Sequence, residues 1–185
     1  MSRKTTGIVL LMIVAAVMVR LISLPFPNFA PIAAVALFGA AFLPKKSWAF
    51  AVTLGALFLS DTILHLMFMS GSRMFAGYHS TMWAVYGAMA IVVLIGLTMR
   101  KKFSIKKLIP ATLLGSIVFF IVTNFAVWLG SGVMYPKNLG GLVACYTAAI
   151  PFFHYTLLGD LFFVTILFGS YYLIKSTILK PAQNL

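Results

Sequence analysis

Acidic residues are almost missing from this sequence of 185 residues, which contains two Asp, Asp61 and Asp160, and no Glu. Without Glu the chain cannot form the H-E-x-x-H zinc site of metalloproteases. It also lacks the G-x-S-x-G turn of serine hydrolases and the P-loop that binds nucleotide phosphates. Cys145 is the single cysteine, which excludes an intramolecular disulfide and a cysteine metal cluster. Since no catalytic motif is present, we do not expect an enzyme.

Hydrophobic residues are what the sequence has in abundance. They make up 62% of the chain, whereas charged residues make up 9% and the mean hydropathy is +1.06. Soluble domains are about half apolar and a quarter charged. The apolar residues also form long runs, which predict an integral membrane protein with a single domain over residues 1–185. The net charge of +12 does not indicate nucleic acid as a partner, because the basic residues form short clusters between apolar runs.

Five apolar segments are long enough to cross the hydrocarbon core of a bilayer, which takes about 20 residues. A sixth segment, residues 30–43, is shorter, and Pro31 and Pro44 suit the start and the end of a helix there. The N-terminal apolar segment is interpreted as a retained helix because it is long and no A-x-A cleavage site follows it. The expected fold is therefore all-α, a polytopic bundle of six transmembrane helices over about 6–24, 30–43, 47–69, 81–99, 108–130 and 149–174.

Loop charges predict the orientation of this bundle. If all six segments span and the N-terminus is cytoplasmic, only Arg73 and Lys137 are basic residues of the outer loops. The positive-inside rule favours this arrangement, and we predict a multi-pass protein of the cytoplasmic (inner) membrane with both termini cytoplasmic. The basic residues then expected on the inner side are Arg3, Lys4, Lys45, Lys46, Arg100, Lys101, Lys102, Lys106, Lys107, Lys175 and Lys180.

Polar residues inside the predicted spans lie on one side of the membrane. In the predicted orientation, Arg20, Asp61, Asn124 and Asp160 fall in the outer halves or near the middle of their helices. An ionisable group at mid-membrane costs about 2.5–3.5 kcal/mol on insertion scales and usually has a partner. We expect Arg20 to pair with Asp61 or Asp160, either as a structural tie between helices or beside a polar cavity. Asp61 and His65 share a helix face at i, i+4 spacing, but this spacing alone does not predict a metal site.

Six stretches of the chain together resemble a known family. The sequence is similar to small six-helix bacterial membrane proteins related to the substrate-binding S components of energy-coupling factor (ECF-type) transporters. Within that group it resembles the BtuM-type cobalamin (vitamin B12) transporters, and the similarity covers nearly the whole chain. The stretches are "FPNFAPIAAVALFGAAF" (26–42), "LGALFLSDTIL" (54–64), "YHSTMWAVY" (78–86), "GSIVFFIVTNFAVWL" (115–129), "YPKNLGGLVACYTAAIPFF" (135–153) and "TLLGDLFF" (156–163).

The resemblance implies a vitamin-binding cavity near the outer face, capped by loops and by the outer helix ends. Some cobalamin-binding relatives carry a cobalt-ligating cysteine in the segment matching "YHSTM", where this chain has Ser80 and Thr81, and His79 is the candidate substitute. S components that dock on a shared ATPase module often show A-x-x-x-A in the first helix. Segment 6–24 lacks it, which favours a transporter that works alone. The residues that the resemblance places at the pocket are Asn28, Phe29, Asp61, Tyr78, His79, Thr81 and Tyr86.

The expected function is uptake of a vitamin-like molecule, a cobalamin or another corrinoid, from the outer side. No prosthetic group is expected, and cobalamin would be a bound substrate. One alternative is an ion- or proton-coupled carrier of another small solute, in which Asp61 and Asp160 titrate. A second alternative is an intramembrane hydrolase in which the two Asp share one proton at about 3 Å. A purely structural role is the third.

Overall fold

The computed structural model describes residues 3–22, 28–100, 103–130 and 134–177 of the chain. In these ranges the regular structure is entirely helical, which confirms the all-α class for the described residues. Helices α3, α5 and α6 are long and apolar enough to cross a membrane, and α2 and α4 are shorter apolar helices. These lengths and compositions indicate a membrane protein. The helices are α1 (Arg3–Arg20), α2 (Ile32–Phe42), α3 (Lys46–Met69), α4 (Met82–Leu97), α5 (Ile105–Leu129) and α6 (Leu139–Thr177).

The shortest helix, α2, lies at the centre of the bundle. Every residue from Ile32 to Ala40 is buried, and α2 packs against each of the other five helices. A helix that is hydrophobic on all sides is expected to be buried in this way. Close contact with α4 depends on Gly96, where an added Cβ would lie 2.7 Å from the Ala40 Cβ. The other helices surround α2 and carry many exposed Leu, Ile and Phe side chains on their outward faces.

One end of the bundle is closed by an aromatic cluster, which consists of Phe38, Phe42, Phe103, Phe168 and Tyr171. The Phe42 and Tyr171 rings are 4.2 Å apart, and the Phe38 and Phe168 rings meet edge to face at 5.2 Å. Burial of such rings and their edge-to-face contacts stabilises packing at this end. The cluster therefore leaves little free volume where α2 ends.

At this end of the bundle, the connection between α2 and α3 lies next to the connection that follows α4. Arg100, after α4, donates from Nη2 to the carbonyls of Leu43 (2.6 Å) and Pro44 between α2 and α3. The same end therefore holds Lys45 and Lys46 at the start of α3. It also holds Lys106 and Lys107 at the start of α5. Of the basic residues predicted for this side, Lys101, Lys102 and Lys180 lie outside the described residues.

Helix α6 differs from the prediction, because it begins at Leu139 and not near 149. The side chain of Asn138 accepts a hydrogen bond from the Gly141 amide at 2.8 Å and so caps the helix start. Pro151 then lies inside the helix, where a missing N–H costs one backbone bond without ending the helix. With 39 residues, α6 is about 58 Å long and exceeds the ~30 Å hydrocarbon core.

Candidate functional site

Arg20, the last residue of α1, forms an ion pair with Asp61 of α3, in which Asp61 is buried and Arg20 is partly buried. The Arg20 Nη2 lies 2.6 Å from the Asp61 Oδ1, and its Nη1 donates to the hydroxyl of Ser60. The other carboxylate oxygen, Oδ2, accepts a hydrogen bond from the Tyr86 hydroxyl at 3.0 Å. Asp61 is 3% exposed, so its charge needs this compensation. Both oxygens of Asp61 are therefore occupied, and the residue joins α1, α3 and α4.

The connection between α3 and α4, residues 70–81, lies tightly against α3. An added Cβ at Gly77 would be 2.0 Å from the Asp61 carbonyl oxygen, so only glycine fits at this approach. The Tyr78 hydroxyl is 2.5 Å from the Thr62 Oγ1, and its ring lies 4.8 Å from the His65 ring. Arg73 in the same connection donates to the carbonyl of Leu21 after α1. Tyr78 thus anchors the connection to α3.

Two adjoining cavities occupy the end of the bundle opposite the aromatic cluster. They measure about 120 and 320 Å³. They lie at the end of the bundle where α1, α3 and α5 end and where α2 and α4 begin. The middle of α6 forms part of their lining. Asn28, which lines both, has a backbone φ of 62°, a left-handed conformation that Asn adopts more readily than most residues. The two cavities share Arg20, Asn28, Val85, Phe119 and Thr156 in their linings.

Helix α5 contributes two polar side chains, Thr123 and Asn124, to the lining of the larger cavity. Thr123 donates its hydroxyl hydrogen to the carbonyl of Phe119 at 2.7 Å, and Asn124 donates from Nδ2 to the carbonyl of Phe120 at 2.8 Å. The Thr123 hydroxyl hydrogen is therefore used within its own helix, whereas the Asn124 Nδ2 carries a second hydrogen that this bond does not use, and its Oδ1 is an acceptor. Arg20 also lines this cavity and is a cationic residue of its lining. The arrangement suits a molecule that carries several hydrogen-bonding groups on an apolar body.

Asp160 lines the smaller cavity from α6 and has a different environment from Asp61. It is 4% exposed, and its Oδ2 lies 2.7 Å from the Ser116 hydroxyl oxygen on α5, within hydrogen-bond distance. Within the described ranges, no basic side chain lies within salt-bridge distance of this carboxyl group. The predicted pairing of Arg20 therefore goes to Asp61 and not to Asp160. Asp61 and Asp160 have separate partners, and the described structure shows no hydrogen bond between them.

His79 lies at the exposed edge of the larger cavity. Its Nδ1 is 3.0 Å from the hydroxyl of Thr81, which leaves Nε2 as the ring nitrogen that could meet a ligand. No cluster of three His, Cys, Asp or Glu suited to a metal ion occurs among the residues that the structure describes. Cys145 is buried, with its Sγ 3.4 Å from the carbonyl of Asn124, and has the character of a packed apolar residue.

Of the seven predicted pocket residues, three line the two cavities and four do not. Asn28, His79 and Thr81 line the cavities. Phe29 does not, because its ring packs on α6, 5.6 and 5.3 Å from Phe162 and Phe163. The remaining three, Asp61, Tyr78 and Tyr86, lie behind the cavity wall, where they hold Arg20 and the 70–81 connection.

Several lining residues were not among the predicted pocket residues. Thr123, Thr156, Phe119 and Phe120 come from α5 and α6. Asp160 was predicted as an ion-pair, titrating or hydrolase residue and not as a pocket residue. The sequence does contain a signal for the contribution of α5 and α6, because Asn124 and Asp160 fall at the same depth as Arg20 in the predicted orientation. Sequence reasoning alone does not show which face of each helix meets the cavity.

A family model described as "Family of unknown function (DUF6580)" matches residues 1–183. The chain belongs to this family. No curated protein and no solved structure matches this DUF6580 chain. The match extends over all six helices, so cavity and ion pair both lie inside the family domain.

Proposed function

We propose that this DUF6580 protein is a substrate-binding and transport protein of the bacterial cytoplasmic membrane. The observation that carries the proposal is the polar cavity at one end of an otherwise apolar bundle. Polar groups in a membrane-embedded interior are costly, and they usually mark a substrate or ion pathway. Here Arg20, Asn28, Asn124 and Asp160 converge on one pair of adjoining cavities from four parts of the chain.

The proposed topology has six spans, with both termini on the cytoplasmic side. The short helices α2 and α4 would complete the bundle between the longer ones, with α2 shielded from lipid by its neighbours. Basic residues flank the end closed by the aromatic cluster, as the positive-inside rule expects for the cytoplasmic side. The cavity would then face outward and take up its substrate from outside. Cysteine labelling of an introduced residue at Ser72 and at Ser104, from opposite sides of the membrane, tests this orientation.

The substrate proposed first is a vitamin-like molecule, a cobalamin or another corrinoid. Its support is the resemblance to S-component-like proteins together with the cavity. His79 would present its Nε2 to the cobalt, and Asn28 and Asn124 would hydrogen-bond to amide groups at the edge of the corrinoid. Transport without an energy-coupling ATPase module is the proposed mode, since α1 lacks the A-x-x-x-A pattern of docking helices.

The size of the cavity supports a second candidate, a carrier of a smaller polar solute. Pockets for drug-sized ligands measure ~300–1,000 Å³, and a corrinoid is larger than such ligands. The cavity of about 320 Å³ lies at the low end of this range and the cavity of about 120 Å³ lies below it. A corrinoid therefore fits only if the 70–81 connection moves outward or part of the molecule stays outside. A smaller solute needs no such movement.

Binding of cobalamin to the purified full-length protein separates the two candidates. We expect a coloured preparation from cells grown with cobalamin, and saturable heat of binding by calorimetry. Asn124→Ala should weaken binding about tenfold, in line with the loss of roughly one hydrogen bond. Thr165→Val, on an exposed face of α6 away from the cavity, is the matched control and should bind normally.

His79→Ala gives an independent spectroscopic test of the cobalt contact. If Nε2 ligates cobalt, the visible spectrum of bound cobalamin changes in this variant while Thr165→Val leaves it unchanged. A colourless wild-type preparation with no heat of binding would argue against the corrinoid and in favour of the smaller solute. Uptake into proteoliposomes that contain this chain alone tests whether it works without an ATPase partner.

A further inference from the structure

The hydrogen-bond geometry at Ser116 bears on the protonation state of Asp160. The Ser116 Oγ lies 2.7 Å from the Asp160 Oδ2 and 3.1 Å from the carbonyl oxygen of Thr112. A serine hydroxyl has one hydrogen, so it can make a near-linear hydrogen bond to only one of these two acceptors. Both contacts become hydrogen bonds if Asp160 carries a proton and donates it to Ser116, whose own hydrogen then goes to Thr112.

The charges around Asp160 agree with a protonated carboxyl group. Asp160 is 4% exposed, and a buried ion without a partner is normally neutralised by a proton. From α1, Arg20 lines the same cavity, but its charge is compensated by Asp61 at 2.6 Å. The described parts of α2 and of the facing half of α5 contain no ionisable residue, and Tyr86 on α4 donates to Asp61. On α6 itself, His154 is exposed and six residues away.

We propose that Asp160 is a proton-binding site in the cavity, where it donates through Oδ2 to Ser116 and presents Oδ1 as an acceptor. The two carboxyl groups of the chain then differ in protonation state, a difference that the sequence alone does not show. Asp61 is the ion-paired carboxylate between Arg20 and Tyr86, and Asp160 is a neutral acid. The cavity then has no net charge, because the Arg20 and Asp61 charges cancel. The cavity therefore suits a neutral polar solute rather than an inorganic ion. This statement about the solute rests on the proposed function, whereas the proton site on Asp160 does not depend on it.

The scarcity of acids makes this proposal directly measurable. Because the chain has two Asp and no Glu, aspartate with an isotope-labelled side-chain carboxyl reports on two groups alone. Infrared spectra of the full-length protein in lipid nanodiscs at neutral pH should show one labelled band of a protonated carboxyl and one of a carboxylate. Asp160→Asn should remove the protonated band, and Asp61→Asn should remove the carboxylate band and keep the protonated one.

A second variant keeps the test decisive if Asp160→Asn does not fold. Ser116→Ala removes the acceptor of the Asp160 proton, so the protonated band should move to higher frequency, as for a carboxyl group with a weaker hydrogen bond. Two carboxylate bands in the wild type, a protonated band that survives Asp160→Asn, or an unmoved band in Ser116→Ala would each overturn the proposal. None of these measurements needs a ligand, so failure of cobalamin binding leaves their result intact.

Discussion

Removal of both partners of the Arg20–Asp61 ion pair should destabilise the fold by less than the sum of the two single removals. Asp61→Asn leaves a partly buried guanidinium without its counter-ion. Arg20→Met leaves a carboxylate whose side chain is 5% exposed and whose remaining partner is the Tyr86 hydroxyl. The double variant leaves no charge in the site. The amide oxygen introduced at position 61 can still accept from Tyr86, so the double variant loses mainly the Coulombic attraction and the bonds from Arg20.

The magnitude follows from the burial of the two side chains. Breaking a buried ion pair by removing one partner costs about 3–5 kcal/mol. Since the Arg20 side chain is 19% exposed, we expect the lower limit, about 3 kcal/mol, for Asp61→Asn. That corresponds to roughly a hundredfold change in the folding equilibrium. The double variant should be less destabilised than the sum of the single variants by about 2–3 kcal/mol.

Reversible unfolding in mixed detergent micelles measures these differences, with tryptophan fluorescence and circular dichroism as probes. Lys175→Met, an exposed charge removal in the last turn of α6, is the control and should change stability by no more than about 0.5 kcal/mol. If the double variant equals the sum of the singles within about 0.5 kcal/mol, the two side chains are not coupled and the reasoning fails.

Two further substitutions test the cavity and the helix packing. Asn28→Gly should keep the left-handed backbone at φ 62° and leave stability nearly unchanged while it weakens substrate binding. Asn28→Val should lower the free energy of unfolding by about 1–2 kcal/mol, measured by thermal unfolding. Equal stability of the two variants would contradict the left-handed conformation at residue 28. Gly96→Ala should destabilise by about 1–3 kcal/mol because its Cβ would lie 2.7 Å from that of Ala40, and Gly87→Ala, with open space around it, should be neutral or stabilising in the same assay.

The positions of the helices followed closely from the sequence, with one exception. Long apolar runs with basic ends predict α3 and α5 within about three residues. The start of α6 was missed because hydropathy identifies the membrane-crossing part of a helix and not its extension. The cap that sets the true start, Asn138 with the Gly141 amide, is a local signal that hydropathy does not weigh.

The composition of the candidate site was only partly predictable. The common depth of Arg20, Asp61 and Asp160 follows from the order of the spans. Which residue of a helix turns toward the cavity depends on rotation about the helix axis, and that rotation is set by packing against neighbours. For this reason Tyr86 lies behind the wall and Phe29 packs on α6, whereas Thr123 and Thr156 reach the cavity.

The sequence by itself indicated that the protein is helical, apolar and suited to a membrane, and that Arg20, Asp61 and Asp160, which lie inside apolar segments, fall toward one end. Composition and the length of apolar runs are sufficient for this, because the free-energy cost of placing a polar group in hydrocarbon depends on the residues of each segment and not on its neighbours in space. Only the tertiary structure decided that Arg20 belongs to Asp61 and that Asp160 has Ser116 as its partner. The reason is physical: an ion pair depends on distances of a few ångströms between helices far apart in sequence, and these distances result from the packing around α2.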